Sequence, residues 1–175
     1  GLGGRLSTRR GETGQFDHGA AFFTVRHPAF ITEAAAWREE GAVEVWPGKL
    51  VHLTQRGLEA AYPDDRYVSV PGMSALGRFL AEGLHCQRGH RVQQIEPTGS
   101  NWRVFLDDGS THSFDGLILA IPAPQAVALL SGVHHFAGDI EQNVQMTACW
   151  SLLAQSEAKP AFDAAFIDND SPLAW

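Results

Sequence analysis

The chain has 175 residues, 20 of them acidic and 13 basic, for a net charge of −7; apolar residues make up 44% and charged residues 19%. That length and apolar content support a packed core and exclude a disordered chain. The acidic balance speaks against nucleic acid as a partner, because phosphate contacts need a basic face. No apolar run approaches the roughly 18 residues of a membrane span, which speaks against a membrane partner.

In chain order, residues 1–15 carry Gly, Arg, Ser and Thr without a hydrophobic period and read as a loop. Phe16–Val25 reads as a loop leading into a strand. His27-Pro28 opens a helix to about Glu40, with Phe30, Ala34 and Trp37 at helical spacing and Gly41 as the stop. Val43–Trp46 and Leu50–Leu53 read as a hairpin around Pro47-Gly48-Lys49. Tyr62–Asp65 is a predicted turn, and Arg66–Val70 a short extended run. Ser74 is the expected N-cap of an amphipathic helix over 75–84 that buries Leu76, Phe79, Leu80 and Leu84.

Val92, Gln94 and Ile95, then Trp102, Val104 and Leu106, then Ser110–Phe114 lie on three strands separated by Thr98-Gly99-Ser100 and Asp107-Asp108-Gly109. This is a predicted antiparallel meander. Leu117–Ile121 is an unbroken apolar run, which predicts a strand buried on both faces. A short helix over Pro124–Leu130 and strands over Val144–Leu153 and Phe162–Ile167 complete the pattern. The fold class is mixed α/β and α+β, and the alternation of element types predicts crossings between domains near residues 25, 74 and 130.

Cys86 and Cys149 are two isolated thiols, as in a reducing cytoplasm. No metal site is expected: no His-x-x-x-His or His-Glu-x-x-His occurs, and His134-His135 on a strand would point to opposite faces. There is no nucleophile elbow, phosphate loop or Gly-x-Gly-x-x-Gly. Four segments carry candidate chemistry. Gly1–Arg10 combines glycines that admit close backbone approach with Arg5, Arg9 and Arg10, a local positive island. Gly14–Phe23 sets small residues between aromatics, where a flat ring can lie against backbone; Asp17 and His18 are the residue types of an acid/base pair, but adjacent residues rarely face one another. Val70–Leu76 places Gly72 and Met73 at a helix start with free N–H groups. Asp115–Pro124 is a strand end of the kind that borders ligands in open α/β sheets. Each of these also reads as ordinary loop, turn or core.

Taken in this order, Gly3-Gly4-Arg5, Ser7-Thr8-Arg9-Arg10, Phe16–Phe23, Pro71–Ser74, Arg91-Val92-x-x-Ile95 and Trp102–Pro124 resemble the flavin-containing amine-oxidase superfamily, and most closely its renalase-like bacterial branch. The resemblance implies a partial FAD-binding, Rossmann-like domain (meander plus buried strand) over 1–25 and 74–130. It implies an antiparallel-sheet substrate domain over 26–73 and 131–175. FAD is the implied cofactor, with Gly3, Gly4 and Arg5 by its pyrophosphate. Gly19, Ala20, Ala21 and Phe22 then run along the ribityl chain and ring, Val92 meets the adenine, and Ala120 and Pro122 lie near the dinucleotide. Met73 is placed near the ring. The implied reaction is hydride transfer from a small-molecule substrate, an amine or a dihydronicotinamide isomer, to flavin, with reoxidation by oxygen. No catalytic side chain is assigned. The family pattern begins before Gly1 and extends past Trp175, so the chain is read as a piece of a longer cytoplasmic oxidoreductase that does not retain FAD when isolated. The alternative is a non-enzymatic binding module on the same fold.

Overall fold

The computed structural model describes residues 2–12, 14–61, 64–158 and 160–167. A 3-10 turn, Gly4–Leu6, is followed by β1 (Thr8–Gly11), β2 (Gly14–Asp17), α1 (Pro28–Glu39), β3 (Val43–Val45), β4 (Leu50–Thr54), β5 (Gly57–Ala60), β6 (Tyr67–Ser69) and α2 (Ser74–Phe79). Then come β7 (Val92–Thr98), β8 (Asn101–Leu106), β9 (Thr111–Phe114), α3 (Ala123–Leu130), α4 (Phe136–Asn143) and β10 (Ala164–Ile167). The class is mixed α/β with several small sheets. Contacts gather these elements into two units: 1–85 with 151–175, and 86–150. The expected crossings near 25, 74 and 130 divide the chain differently, because α2 packs with the N-terminal elements.

In the first unit, β1 and β2 pair antiparallel with Thr8 opposite Asp17. The sequence reading took this stretch for a loop. It carries no alternating apolar signal, since Arg9, Arg10 and Gly11 are exposed, and only the pairing defines it as a hairpin. Helix α1 forms as expected. His27 Nδ1 accepts from Ala29 N–H at 3.3 Å, Pro28 occupies the first turn, and Gly41 ends it at φ +73°, with Ala42 N–H reaching back to Trp37 O at 2.8 Å. On this helix Phe30 stacks with Phe23 and meets Trp37 edge-on.

The expected hairpin between residues 43–46 and 50–53 is corrected. β3 pairs with β6, and β4 pairs with β5 and, in parallel, with β10. The reason lies at Gly48: the Trp46 indole occupies the space its Cβ would fill, at 2.3 Å, so Pro47–Lys49 passes the ring instead of reversing the chain. β5 was not expected, whereas β6 and β10 fall within the predicted extended runs. Part of the predicted Tyr62–Asp65 turn lies outside the described residues. Helix α2 is also corrected: it spans Ser74–Phe79, Ser74 is its first residue, and Met73 holds the cap position. Met73 has no exposed surface, with Ser69 N–H on its Sδ at 3.5 Å.

In the second unit the meander forms as predicted, in the order β7-β8-β9. Ile95 and Val104 face Ala126 and Leu130 of α3 and Ala137 of α4 in its core. Two predicted strands are absent. Leu117–Ile121 forms no strand and pairs with none among the described residues, and Ile118 is 91% exposed. An apolar run can be a buried strand only where neighbouring strands flank it. Residues 144–153 likewise form no strand, and Trp150 is 96% exposed. His134 and His135 are not on a strand: they lead into α4, and their rings lie 4.2 Å apart. Both cysteines are exposed and free. Among the described residues no helix is long and apolar enough to cross a membrane.

Candidate functional site

The first unit brings five of the expected site residues together at one seam. Gly4 takes φ +50° in the 3-10 turn, a left-handed conformation that favours glycine. The carbonyl of Arg5 accepts from Ala20 N–H at 2.9 Å. A Cβ on Gly19 would stand 2.0 Å from that same carbonyl oxygen, so the two segments touch backbone to backbone. Gly3 lies against Ser74, where a Cβ would meet Ser74 Cβ at 3.1 Å. The Arg5 side chain is exposed.

From this seam the chain runs directly into a cleft of about 800 Å³. Ala21 and Phe22 form part of its wall, with Trp46 and Gly72. The Phe22 and Trp46 rings are nearly parallel, at 7° with centroids 6.4 Å apart. Small residues and parallel aromatic faces suit a flat ring system. Three carboxylates, Asp17, Glu44 and Asp163, line the same cleft, and no lysine or arginine does among the described residues. Asp163 Oδ2 accepts the Lys49 N–H at 2.6 Å.

Asp17 and His18 have separate partners, as adjacency leads one to expect. Asp17 bonds Thr8 Oγ1 and the Met73 N–H, whereas His18 Nε2 lies 3.4 Å from Ser7 Oγ. The expectation of free N–H groups at 72–74 is corrected. Met73 N–H donates to Asp17 Oδ1 at 3.1 Å and Ser74 N–H to Thr8 Oγ1 at 3.1 Å, so side chains from the first hairpin already satisfy this helix start. The placement of Met73 by a ring meets a side chain wholly packed in the core. Thr8 and Gln15 lie within candidate segments, but the sequence assigns no role to them or to Trp46. The cross-strand position of Thr8 opposite Asp17 is the signal that identifies the first of them.

The second unit has its own cleft, of about 970 Å³. Val92 and Ala120 line it, together with His90, Arg91 and the rest of the Leu117–Ile121 run. Pro122 stands at the cap of α3, its carbonyl accepting from Gln125 and Ala126 N–H at 2.9 and 3.0 Å. Beside this cleft His90 Nδ1 lies 3.3 Å from Asp108 and 3.8 Å from Asp107, an ion pair when the imidazole is protonated. The Asp108 carboxyl is held below its ordinary value, first by the Ser110 hydroxyl and then by the Ser110 N–H. These three side chains are the one group of potential metal-ligating residues among those described; all are exposed, and the ion pair and turn account for their approach.

The sequence model of the family described as flavin containing amine oxidoreductase matches residues 33–137, more than half of the chain. The chain is similar to renalase of Mus musculus, with 31% identity over 117 residues, which are 65% of this chain and 33% of the mouse protein. It thus spans about a third of the length of that relative. With the match running through α1, the meander and α3, the chain belongs to the flavin containing amine oxidoreductase family.

Proposed function

We propose that the chain is part of an FAD-dependent oxidoreductase in which a small substrate, an amine or a dihydronicotinamide isomer, gives up a hydride and oxygen takes the electrons. The observation that carries this reading is the aromatic, small-residue cleft whose wall includes Ala21 and Phe22. Bound there, the flavin supplies the electron sink that protein side chains lack. Ala21 and Gly72 admit the ring closely, and Phe22 and Trp46 exclude water around it. Gly3, Gly4 and Arg5 serve the pyrophosphate, Arg5 offering a planar fork of donors to its oxygens. Gly19 and Ala20 hold the Arg5 backbone in place through the seam described above. The second unit is assigned by itself: Val92, Ala120 and Pro122 form a Rossmann-like adenine site on its cleft. The carboxylates Glu44 and Asp163 favour a cationic amine over a phosphate-bearing substrate.

The test uses protein from the complete reading frame that contains residues 1–175. A visible flavin absorbance band after purification is expected, bleached anaerobically by an amine or a dihydronicotinamide isomer. A protein without flavin refutes the reading. A flavin bleached by neither class, with the ligand still retained, supports the binding-module alternative.

A further inference from the structure

A chain of hydrogen bonds ties the two sides of the cleft in the first unit. Ser74 N–H donates to Thr8 Oγ1 at 3.1 Å, the Thr8 hydroxyl donates to Asp17 Oδ1, and Met73 N–H donates to that same oxygen at 3.1 Å. Gln15 Nε2 adds a bond to Pro71 O at 2.6 Å. Thr8 has one hydroxyl hydrogen, and spending it on Asp17 leaves its lone pairs for Ser74, so the relay runs in one direction only. A carboxylate as its end point accepts both bonds, each stronger than a neutral pair. Gln15, Asp17, Pro71 and Gly72 all line the cleft. A Cβ on Gly72 would meet Gln15 Nε2 at 3.2 Å, Thr8 Oγ1 at 3.4 Å and Asp17 Oδ1 at 3.5 Å, which shows how closely the turn is held against the hairpin.

We propose that Asp17 is a positioning residue: with Thr8 as its relay, it anchors the Met73–Ser74 backbone and so fixes the adjoining Pro71–Gly72 wall of the cleft at the separation a flat cofactor ring requires. This rests on the flavin reading above. Asp17 touches no reacting atom in this role. It acts through the wall, so Asn, which keeps an acceptor oxygen in the same place, preserves the function, whereas Ala, which has no acceptor, weakens it. Thr8→Val removes the relay and Thr8→Ser restores it. Because Thr8 and Asp17 work as one unit, the double variant Thr8→Val/Asp17→Ala is no worse than either single change.

The experiment measures two things on protein from the complete reading frame. Amide hydrogen exchange at Met73 and Ser74 is read without any ligand, and FAD affinity and the shape of its visible band are read by titration. Asp17→Ala and Thr8→Val are expected to speed exchange at Ser74 at least tenfold, weaken FAD about tenfold and alter its band, with unchanged far-UV dichroism. Asp17→Asn and Thr8→Ser are expected to stay within about twofold of the parent. Faster exchange with unaltered FAD affinity and spectrum overturns the proposal, as does unaltered exchange. A parent protein that takes up no FAD refutes the flavin reading instead, and the exchange measurement then decides by itself whether the relay holds the wall.

Discussion

Replacing Gly19 with alanine tests the seam that carries the glycines and Arg5. The new Cβ would lie 2.0 Å from Arg5 O, 2.9 Å from Arg5 C and 3.4 Å from Ser7 N. The opposing atoms are backbone and cannot swing aside, so the segments must part by an ångström or more. That separation breaks the Ala20 N–H to Arg5 O bond, now 2.9 Å long. Loss of the bond in a half-buried setting costs about 1–3 kcal/mol, and the overpacking costs about 1–3 kcal/mol more. The reduced freedom of the unfolded chain returns about 0.4–1 kcal/mol. The net destabilisation is about 1–5 kcal/mol, centred near 3 kcal/mol. With a urea dependence of about 2 kcal/mol per molar, that central value lowers the midpoint by about 1.5 M. Gly11→Ala is the control, since the nearest atom to its Cβ, Gly14 O, is 4.0 Å away, and a change within about 0.5 kcal/mol is expected. Urea unfolding followed by far-UV dichroism measures both. A Gly19→Ala midpoint equal to that of Gly11→Ala would refute the backbone contact and the seam with it.

Ile95, 1% exposed at the centre of the second unit, should cost about 3 kcal/mol when cut to alanine, read from hydrogen exchange across β7–β9; a loss under about 1 kcal/mol contradicts its place in that core. Ser110→Ala should raise the Asp108 carboxyl toward its ordinary value, because the Ser110 hydroxyl is the main cause of the depression. A depressed carboxyl stabilises the fold fully above its unfolded value and loses that contribution as pH falls through the folded one, so the acid loosening of this turn moves to higher pH in the variant; an unmoved NMR titration of Asp108 rejects the cause. Arg5→Ala should weaken FAD retention by about 1.5–3 kcal/mol, the range for a hydrogen bond to a charged group, and unchanged flavin occupancy after dilution counts against its proposed contact.

The local signals along the chain translate well where the cause is local. Helix α1 carries its own cap, its own apolar spacing and its own glycine stop. The meander carries alternation and two turn sequences, and both elements formed at the expected places. Pairing partners are a different matter. Nothing in Val43–Val45 distinguishes β4 from β6 as a neighbour, and the choice depends on where the Trp46 ring goes. Leu117–Ile121 shows the same limit in reverse: its composition is that of a central strand, yet a strand is a property of at least two segments. The candidate site divides likewise. Ala21 and Phe22 line one cleft, and Val92 and Ala120 line another. The roles of Thr8 and Gln15 are not legible in the sequence because their partners, Ser74 and Pro71, are distant in it.

The division of the chain also dictates an order of events during synthesis. The second unit is one uninterrupted stretch, and every strand and helix in it meets a partner from the same stretch. The first is split, and its closing contacts reach far along the chain: Lys49 N–H waits for Asp163, 114 residues later, and β4 waits for β10. A chain emerging from the ribosome at roughly 5–20 residues per second therefore exposes β4 with β5 on one side only while all of 86–150 is made. During that interval the inserted stretch can fold to completion. The earlier-synthesised segment finishes last, and β4 keeps an open edge until residues 164–167 arrive.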